Sequence, residues 1–397
     1  MKRLFVLLFV CLNVWICVCA QKKEISQAQT YIKSGTNLDK AEASMRKLLE
    51  DSANSKNLKI WYTLTEALKK QYEQGNEKLY LKQKYDTAAL FTTGRKMFLE
   101  CEAMDSVDAM PDKKGSVRLK YRKKNAEYLN VYRKNLFNGG LFFIAKKNYR
   151  DAFDMLDCFI DCMKQPLFSG IKYADEEELG FKAAYLAMYC GVKLEDNVRA
   201  LKYHGMALGY VPGRENTLQF LANIWHEEKN DEKYCSTLRT GFEEFPKSEY
   251  FFTRLIDYYN NRNLSDSAMS VAESAIAKDS LNSLFLYAKA NILLNIGKYK
   301  ECVSVCNGII ARNDSIADVY YTAGLAYLNM AFEAEKKLTR QAKNVAKGYY
   351  RKALPFMEKY RSLMPEQKDK WASALYNIYL NLNMGKKFEE ISEIIQG

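Results

Sequence analysis

The side chains able to do chemistry are few, and their spacing is informative. Ten cysteines occur in 397 residues, but only two histidines, His204 and His226. Cys158/Cys162 and Cys302/Cys306 each lie four apart, which puts both thiols of a pair on one face of a helix. Such a pair is half a metal site, and no second pair or matching histidine set completes a tetrahedral one. The spacing is not that of a disulfide framework either, so the cysteines after the first twenty residues read as small buried hydrophobes. The run Asp175-Glu176-Glu177-Glu178 suits the acidic first turn of a helix. There is no glycine-rich phosphate loop, no His-Glu-x-x-His and no serine-nucleophile elbow. No catalytic residue, cofactor site or metal site is therefore assigned, and the expectation is a protein that binds and does not catalyse.

What remains is a set of amides and phenols recurring at a fixed interval. Asn261, Asn295 and Asn329 are 34 residues apart. The turn Gly297-Lys298-Tyr299-Lys300-Glu301-Cys302 has counterparts one period back at Asn263–Ala268 and two back at Lys229–Tyr234. Units beginning near 181, 215, 249, 283 and 317 keep this register. Each holds two amphipathic stretches of about a dozen residues, the length of ordinary helices. Few breakers interrupt them, with 6 prolines and 19 glycines in the chain.

Two antiparallel helices approach closely only where a small residue permits it. The first-helix slot holds Met188, Ala222, Ile256, Ala290 and Gly324, and three residues on come the wedges Trp225, Tyr259, Leu293 and Tyr327. The second helix opens with Ala200, Tyr234, Ala268 and Cys302, followed seven later by Ala207, Gly241, Ala275 and Ile309. Pro212, Pro246 and Pro365 close units where a helix has just ended. In this order the residues resemble the tetratricopeptide repeat. The segment from Trp371 to Glu390 resembles the closing unit of exported tetratricopeptide proteins of Bacteroides-like bacteria. The resemblance implies an all-α fold, a right-handed α-solenoid of tandem helix–turn–helix repeats in which each unit buries its apolar face on its neighbours.

The expected organisation follows from that register. Residues 1–20 read as a signal peptide, with Lys2 and Arg3, an apolar run Leu4–Val18 and small residues at Val18 and Ala20 before Gln21. Residues 21–130 read as divergent repeat-like units, with second-helix starts at Asp39–Ala41 and Tyr85–Ala88, first-helix slots at Trp61 and Leu64, and one polar loop near 106–116. The stretch 104–130 is the best place for a break between arrays. The main array spans 131–397: a unit over 133–164 with Gly139-Gly140 at its close approach, about fourteen extra residues, the regular register over 181–329, an insertion at 333–349 lengthening two helices, and a capping unit at 368–397. Pro355 falls inside the second lengthened helix.

Signal cleavage leaves no segment able to span a membrane and predicts export, to the periplasm of a Gram-negative bacterium, with envelope association possible. The formal charge of +12 is spread along the chain, as on solvated helix faces, and gives no nucleic-acid signature. Oligomeric state is not encoded legibly.

In the family, first-helix residues pointing away from the core line a concave groove. The resemblance carries this role to Tyr185 and Tyr189; Gln219 and Asn223, with Asn216 and His226; Asp257 and Asn261, with Tyr250 and Thr253; Tyr287, Asn291 and Asn295; and Tyr321 and Asn329. An amide both donates and accepts, so the asparagines could grip an extended peptide backbone irrespective of its sequence. The alternative is that asparagine near a helix end simply terminates the helix. The lysine-and-asparagine clamp for a C-terminal carboxylate is not formed, because Gln219 and Tyr287 stand at the lysine positions. The expected partner is a protein or peptide in the groove, the alternative a glycan held by the groove tyrosines.

Overall fold

The computed structural model describes residues 21–112, 114–173 and 176–396, and among them there are helices and no strand. The expected signal peptide lies outside the described residues, as does Asp175 of the acidic run. No described helix is long and apolar enough to cross a membrane. The chain divides into two compact units, Met1–Thr217 and Leu218–Gly397.

The first unit contains α1 (21–34), α2 (Leu38–Glu50), α3 (Leu58–Tyr80), α4 (Thr87–Asp108), α5 (Arg122–Ala145), α6 (Tyr149–Asp161), α7 (Glu177–Lys193), α8 (Asn197–Leu201) and α9 (His204–Ala207). From α2 to α8 each helix packs on the next in chain order, and α9 packs back on α7. The division falls within α10 (Arg214–Glu227). The second unit continues with α11 (Asp231–Glu244), α12 (Glu249–Asn260), α13 (Ser265–Lys278), α14 (Ser283–Asn295), α15 (Tyr299–Ile310), α16 (Ala317–Glu335), α17 (Arg340–Leu363), α18 (Lys368–Leu382) and α19 (Gly385–Gln396). Its helices also pack in chain order, and the first helices α14, α16 and α18 touch one another as well. That is the stacking of an α-solenoid of helical repeats.

The backbone carries the 34-residue phase more cleanly than the side chains do. Glu195, Lys229, Asn263 and Gly297 all have positive φ, between 54° and 79°, at successive periods. Each closes its first helix in a Schellman turn. The amide two residues past Asn261 and that of Leu264 donate back to the carbonyls of Asn260 and Tyr259, and the same pair of bonds recurs at Lys298→Leu293 and Asn230→Trp225. In three of these turns the wedge residue, Trp225, Tyr259 or Leu293, thus supplies the carbonyl that ends its helix, and in the Glu195 turn Gly191 does. The next helix then starts on a side-chain cap where one is available: Asn230 accepts from the Lys233 amide, Asn148 from Asp151 and Asp196 from Arg199. An earlier turn at Lys147 precedes Glu195 by one period plus the fourteen extra residues.

The close-approach slots behave as a two-layer stack requires. Ala200, Ala207, Ala222, Ala268, Ala275, Ala290, Cys302 and Ile309 are fully buried. At Gly139 and Gly140 an added Cβ would lie 2.4 Å from Met155 and 2.6 Å from Leu156, and at Gly191 2.3 Å from the backbone of Ala200. Cys101, Cys158, Cys162, Cys190, Cys302 and Cys306 are buried free thiols. The Cys158 thiol is held well above its ordinary pKa by its hydrogen bond with Cys162 and by burial.

Three expectations need correction. The loop placed at Ser106–Ser116 is shifted, because α4 runs through Asp108 and the next helix begins only at Arg122. The acids there serve the turn: Asp105 takes both the Nε and Nη2 of Arg122, at 2.9 and 2.8 Å, and Asp108 accepts from the Tyr121 amide at 2.8 Å. The unit expected to open at 181 opens at Glu177. Its second helix is broken into α8 and α9, where Tyr203 turns inward, is buried, and donates its hydroxyl to Asp157 of α6 at 2.8 Å. The extra residues ahead of it form short 3-10 turns that bury Leu167 and Phe168. They are pinned by Arg133, which is 1% exposed, sandwiched between the rings of Phe159 (3.9 Å) and Tyr173 (4.2 Å), and ion-paired with Glu176. The insertion at 333–349 does lengthen two helices, to 19 residues in α16 and 24 in α17, with Pro355 inside the latter.

Candidate functional site

The first helices carry the residues expected to face a partner, and the structure gives them unequal surroundings. In the first unit, Tyr185 and Tyr189 project from α7. The Tyr185 ring packs on Tyr210 (5.3 Å between centroids), and its hydroxyl accepts from the Asn216 amide at 3.3 Å. Tyr189 meets Tyr149 edge to face at 6.0 Å, with the Lys193 ammonium 5.5 Å from its ring. Both phenols are half-buried and tied to their own unit, so they act at least in part as packing.

The second unit brings five expected residues into one cleft. Asn223 and His226 from α10, Thr253 and Asp257 from α12 and Asn261 just past α12 line a concavity of about 500 Å³, together with Arg254 and Arg262. Asn223, His226, Asp257 and Asn261 are exposed and Thr253 is half-buried. Tyr250 fixes one wall: its hydroxyl lies 2.5 Å from Asn223 Oδ1 and 3.1 Å from the Gln219 carbonyl, so both positions are tied to α12. Burial pushes the Tyr250 phenol up to about 12, against the pull of the nearby Arg254 cation, so the hydroxyl stays a donor at neutral pH. The Arg254 guanidinium sits 3.7 Å over the Tyr250 ring. The opposite wall repeats the device, with Arg262 lying 3.8 Å over Tyr258 and ion-paired with Asp231. The rings of His226, Tyr234 and Tyr258 follow one another at 4.9 and 6.0 Å.

Further along the same unit the expected residues separate. Asn291 Oδ1 accepts from the Thr322 hydroxyl at 3.1 Å, a bond between adjacent first helices. Tyr287 is half-buried against the core of the α14–α16 repeats. Tyr321 packs on Tyr360 at 4.9 Å, with the Lys370 ammonium 5.8 Å from its ring. Asn261 and Asn295 are exposed, and Asn329 is partly covered within α16. The left-handed, helix-ending position is taken by Asn263 and Gly297, two residues beyond Asn261 and Asn295, and Asn261 itself keeps a right-handed φ of −64°. The need for a left-handed residue therefore does not explain asparagine at these two positions.

Sequence reasoning missed Arg254, Arg262 and Tyr258. Arginine at an outward helical position looks like an ordinary solvated charge, and only the tyrosine four residues before it hints at a stacked guanidinium. No group of three or more His, Cys, Asp or Glu among the described residues is placed to hold a metal ion.

No protein-family model and no curated protein matches the chain. Among solved structures it is similar to the C-terminal part of a TPR repeat-containing protein from Cytophaga hutchinsonii, at 14% identity and a TM-score of 0.43, over 64% of this chain and 92% of that one. It is similar to MamA from Desulfovibrio magneticus RS-1, at 17% identity and a TM-score of 0.37, over 46% of this chain and 95% of that one. A third is YrrB, described as a TPR protein with an unusual peptide-binding site, at 16% identity and a TM-score of 0.34, over 49% and 91% of the two chains. The fold of the present chain rests on its own helix pairs and on the phase of its left-handed turns.

Proposed function

We propose that this protein is an exported, non-catalytic scaffold that binds an extended protein or peptide segment along its first helices, with the cleft between α10 and α12 as the principal contact. The observation behind this reading is the convergence of Asn223, Asp257 and Asn261 with Arg254 in one polar concavity. Exposed amides offer both a donor and an acceptor to a peptide backbone, while Arg254 and Asp257 offer charges of both signs to its side chains.

The groove favours a peptide over a glycan for a specific reason. Sugars are held on open aromatic faces, and here a guanidinium lies over each of Tyr250 and Tyr258. The stacked arginines are held in a fixed pose, so less freedom is lost when they bond a partner.

The test is an array of unrelated extended peptides, probed with the wild-type chain and with the Asn223→Ala/Asn261→Ala double variant. Two lost amide contacts should weaken peptide binding about tenfold, with helicity unchanged because both side chains are exposed. Equal binding by the two proteins removes the cleft from the account. Sedimentation with envelope polysaccharide in place of peptide capture would establish the glycan reading. Export is checked separately, by intact mass: a mature chain beginning at Gln21 agrees with it, and one beginning at Met1 does not.

A further inference from the structure

The insertion builds a second surface, of different character from the cleft. Relative to its close-approach glycine, Gly324, α16 runs six residues further than α14 does from Ala290, or about 9 Å at 1.5 Å per residue. Relative to Ala353, α17 begins ten residues earlier than α15 does from Cys302, or about 15 Å. The two helices thus form a hairpin extending past the α14–α15 turn, with Ala342 and Ala346 buried at their contact.

The tip of this hairpin is cationic without compensation. From Lys336 to Lys347 there are five cations, Lys336, Lys337, Arg340, Lys343 and Lys347, and no carboxylate. None of the five forms an ion pair among the described residues. The carboxylates nearest in sequence, Glu333 and Glu335, sit on the α16 side below the turn. A cleft of about 460 Å³ separates the hairpin from the α14–α15 turn, which adds Lys298 and Lys300 on its far wall; Glu301 and Glu333 are the acids lining it.

At the apex stands Leu338, 85% exposed. It occupies the left-handed backbone position (φ 52°) that Asn263 and Gly297 hold in the regular repeats. A leucine there carries a steric cost that glycine or asparagine would avoid. Elsewhere on the hairpin, Val345 (46% exposed) lines the cleft and Phe332 (39%) packs on Tyr350 at 6.2 Å. A single protruding apolar side chain ringed by cations is a poor match for a protein pocket, which needs a complementary concavity. It is a good match for a headgroup layer, where cations meet lipid phosphates and the apolar point enters the acyl boundary.

We propose that the α16–α17 tip docks the protein on an anionic lipid surface. The groove residues of α10 and α12 take no part in this contact, so it stands or falls independently of the peptide reading.

Co-sedimentation of the full chain with vesicles tests it, using one part phosphatidylglycerol to two of phosphatidylcholine against phosphatidylcholine alone. Residues 1–20 are common to every variant, so differences between variants report the tip. Each cation removed should lower the anionic preference roughly fivefold, so Lys336→Gln/Lys337→Gln/Arg340→Gln should lower it about a hundredfold. Leu338→Ser should weaken anionic binding about tenfold while leaving its salt dependence unchanged. All four side chains are exposed, so melting temperatures should match wild type. Variants that sediment as wild type does, or a wild-type chain indifferent to phosphatidylglycerol, would overturn the proposal. So would a wild-type chain that ignores the vesicles but binds soluble polyglutamate through the same cations, since the occupant would then be an acidic protein.

Discussion

Gly191→Ala and Gly180→Ala, two identical substitutions in one helix, should move stability in opposite directions. Both glycines lie in α7 with ordinary helical φ, so alanine at either gains up to about 1 kcal/mol of helix propensity. At Gly180 the new methyl would sit 3.7 Å from the ends of Met163 and Met206, an ordinary contact, and the gain should survive. At Gly191 it would sit 2.3 Å from the Ala200 nitrogen and 2.6 Å from its Cα. These are backbone atoms of α8 and cannot rotate away. The two helices must separate by about an ångström, and overpacking of that kind costs about 3 kcal/mol. The net expectation is a loss of about 2 kcal/mol for Gly191→Ala and a gain of up to about 1 kcal/mol for Gly180→Ala. Urea unfolding followed by far-UV circular dichroism measures both, read as shifts in midpoint at constant slope. A Gly191→Ala protein at least as stable as wild type would refute the reasoning, because the close approach of first and second helix would then not be what the glycine serves.

Other expectations can be checked alongside. Burial, aided by the charge of Asp161, pushes the Glu102 carboxyl up to about 7 from 4.5. The folded state therefore binds a proton that the unfolded state releases: the stability it contributes is complete below about pH 4.5 and is lost as pH rises through 7. Glu102→Gln should flatten that slope and stabilise the protein at pH 8, as urea midpoints across pH 5–8 would show. Arg133→Lys should cost about 2–4 kcal/mol, since an ammonium cannot both stack between Phe159 and Tyr173 and reach the Phe159 carbonyl, 3.0 Å from Nη2. Its signature is a lowered thermal midpoint with increased proteolysis between residues 162 and 176. Leu338→Gly should raise stability by about 1 kcal/mol by relieving the left-handed strain, detectable as a higher urea midpoint.

The 34-residue register was legible because several independent constraints repeat in it. A small residue is needed where helices meet, a bulky one beside it, and a cap where the next helix begins. The starts of α12, α14 and α16 at 249, 283 and 317 fall where the spacing puts them. The turn residue was readable only as Asn263 and Gly297. Glu195 and Lys229 adopt the same backbone although their side chains do not favour it, because the Schellman bonds and the packing on either side impose it. The break between α8 and α9 was hidden for a similar reason: Tyr203 leaves the helix to reach Asp157, a partner 46 residues away. The cleft was half legible. Its asparagines and Asp257 came from repeat positions, while its arginines depend on tyrosines that could equally have been wedges.

The buried free thiols make the array a record of its own fluctuations. In the first unit Cys101 sits in α4, Cys158 in α6, Cys162 in the 3-10 turn that follows it and Cys190 in α7, while Cys302 and Cys306 share α15 of the second. Each reacts only when its helix pair parts, because burial shields it; at Cys101 and Cys190 burial also suppresses the thiolate, pushing each thiol to about 12. In a stack where every repeat is stabilised chiefly by its neighbours, opening is a local event with its own free energy. The order in which these thiols become alkylated under native conditions would therefore rank the repeats by how often each lets go.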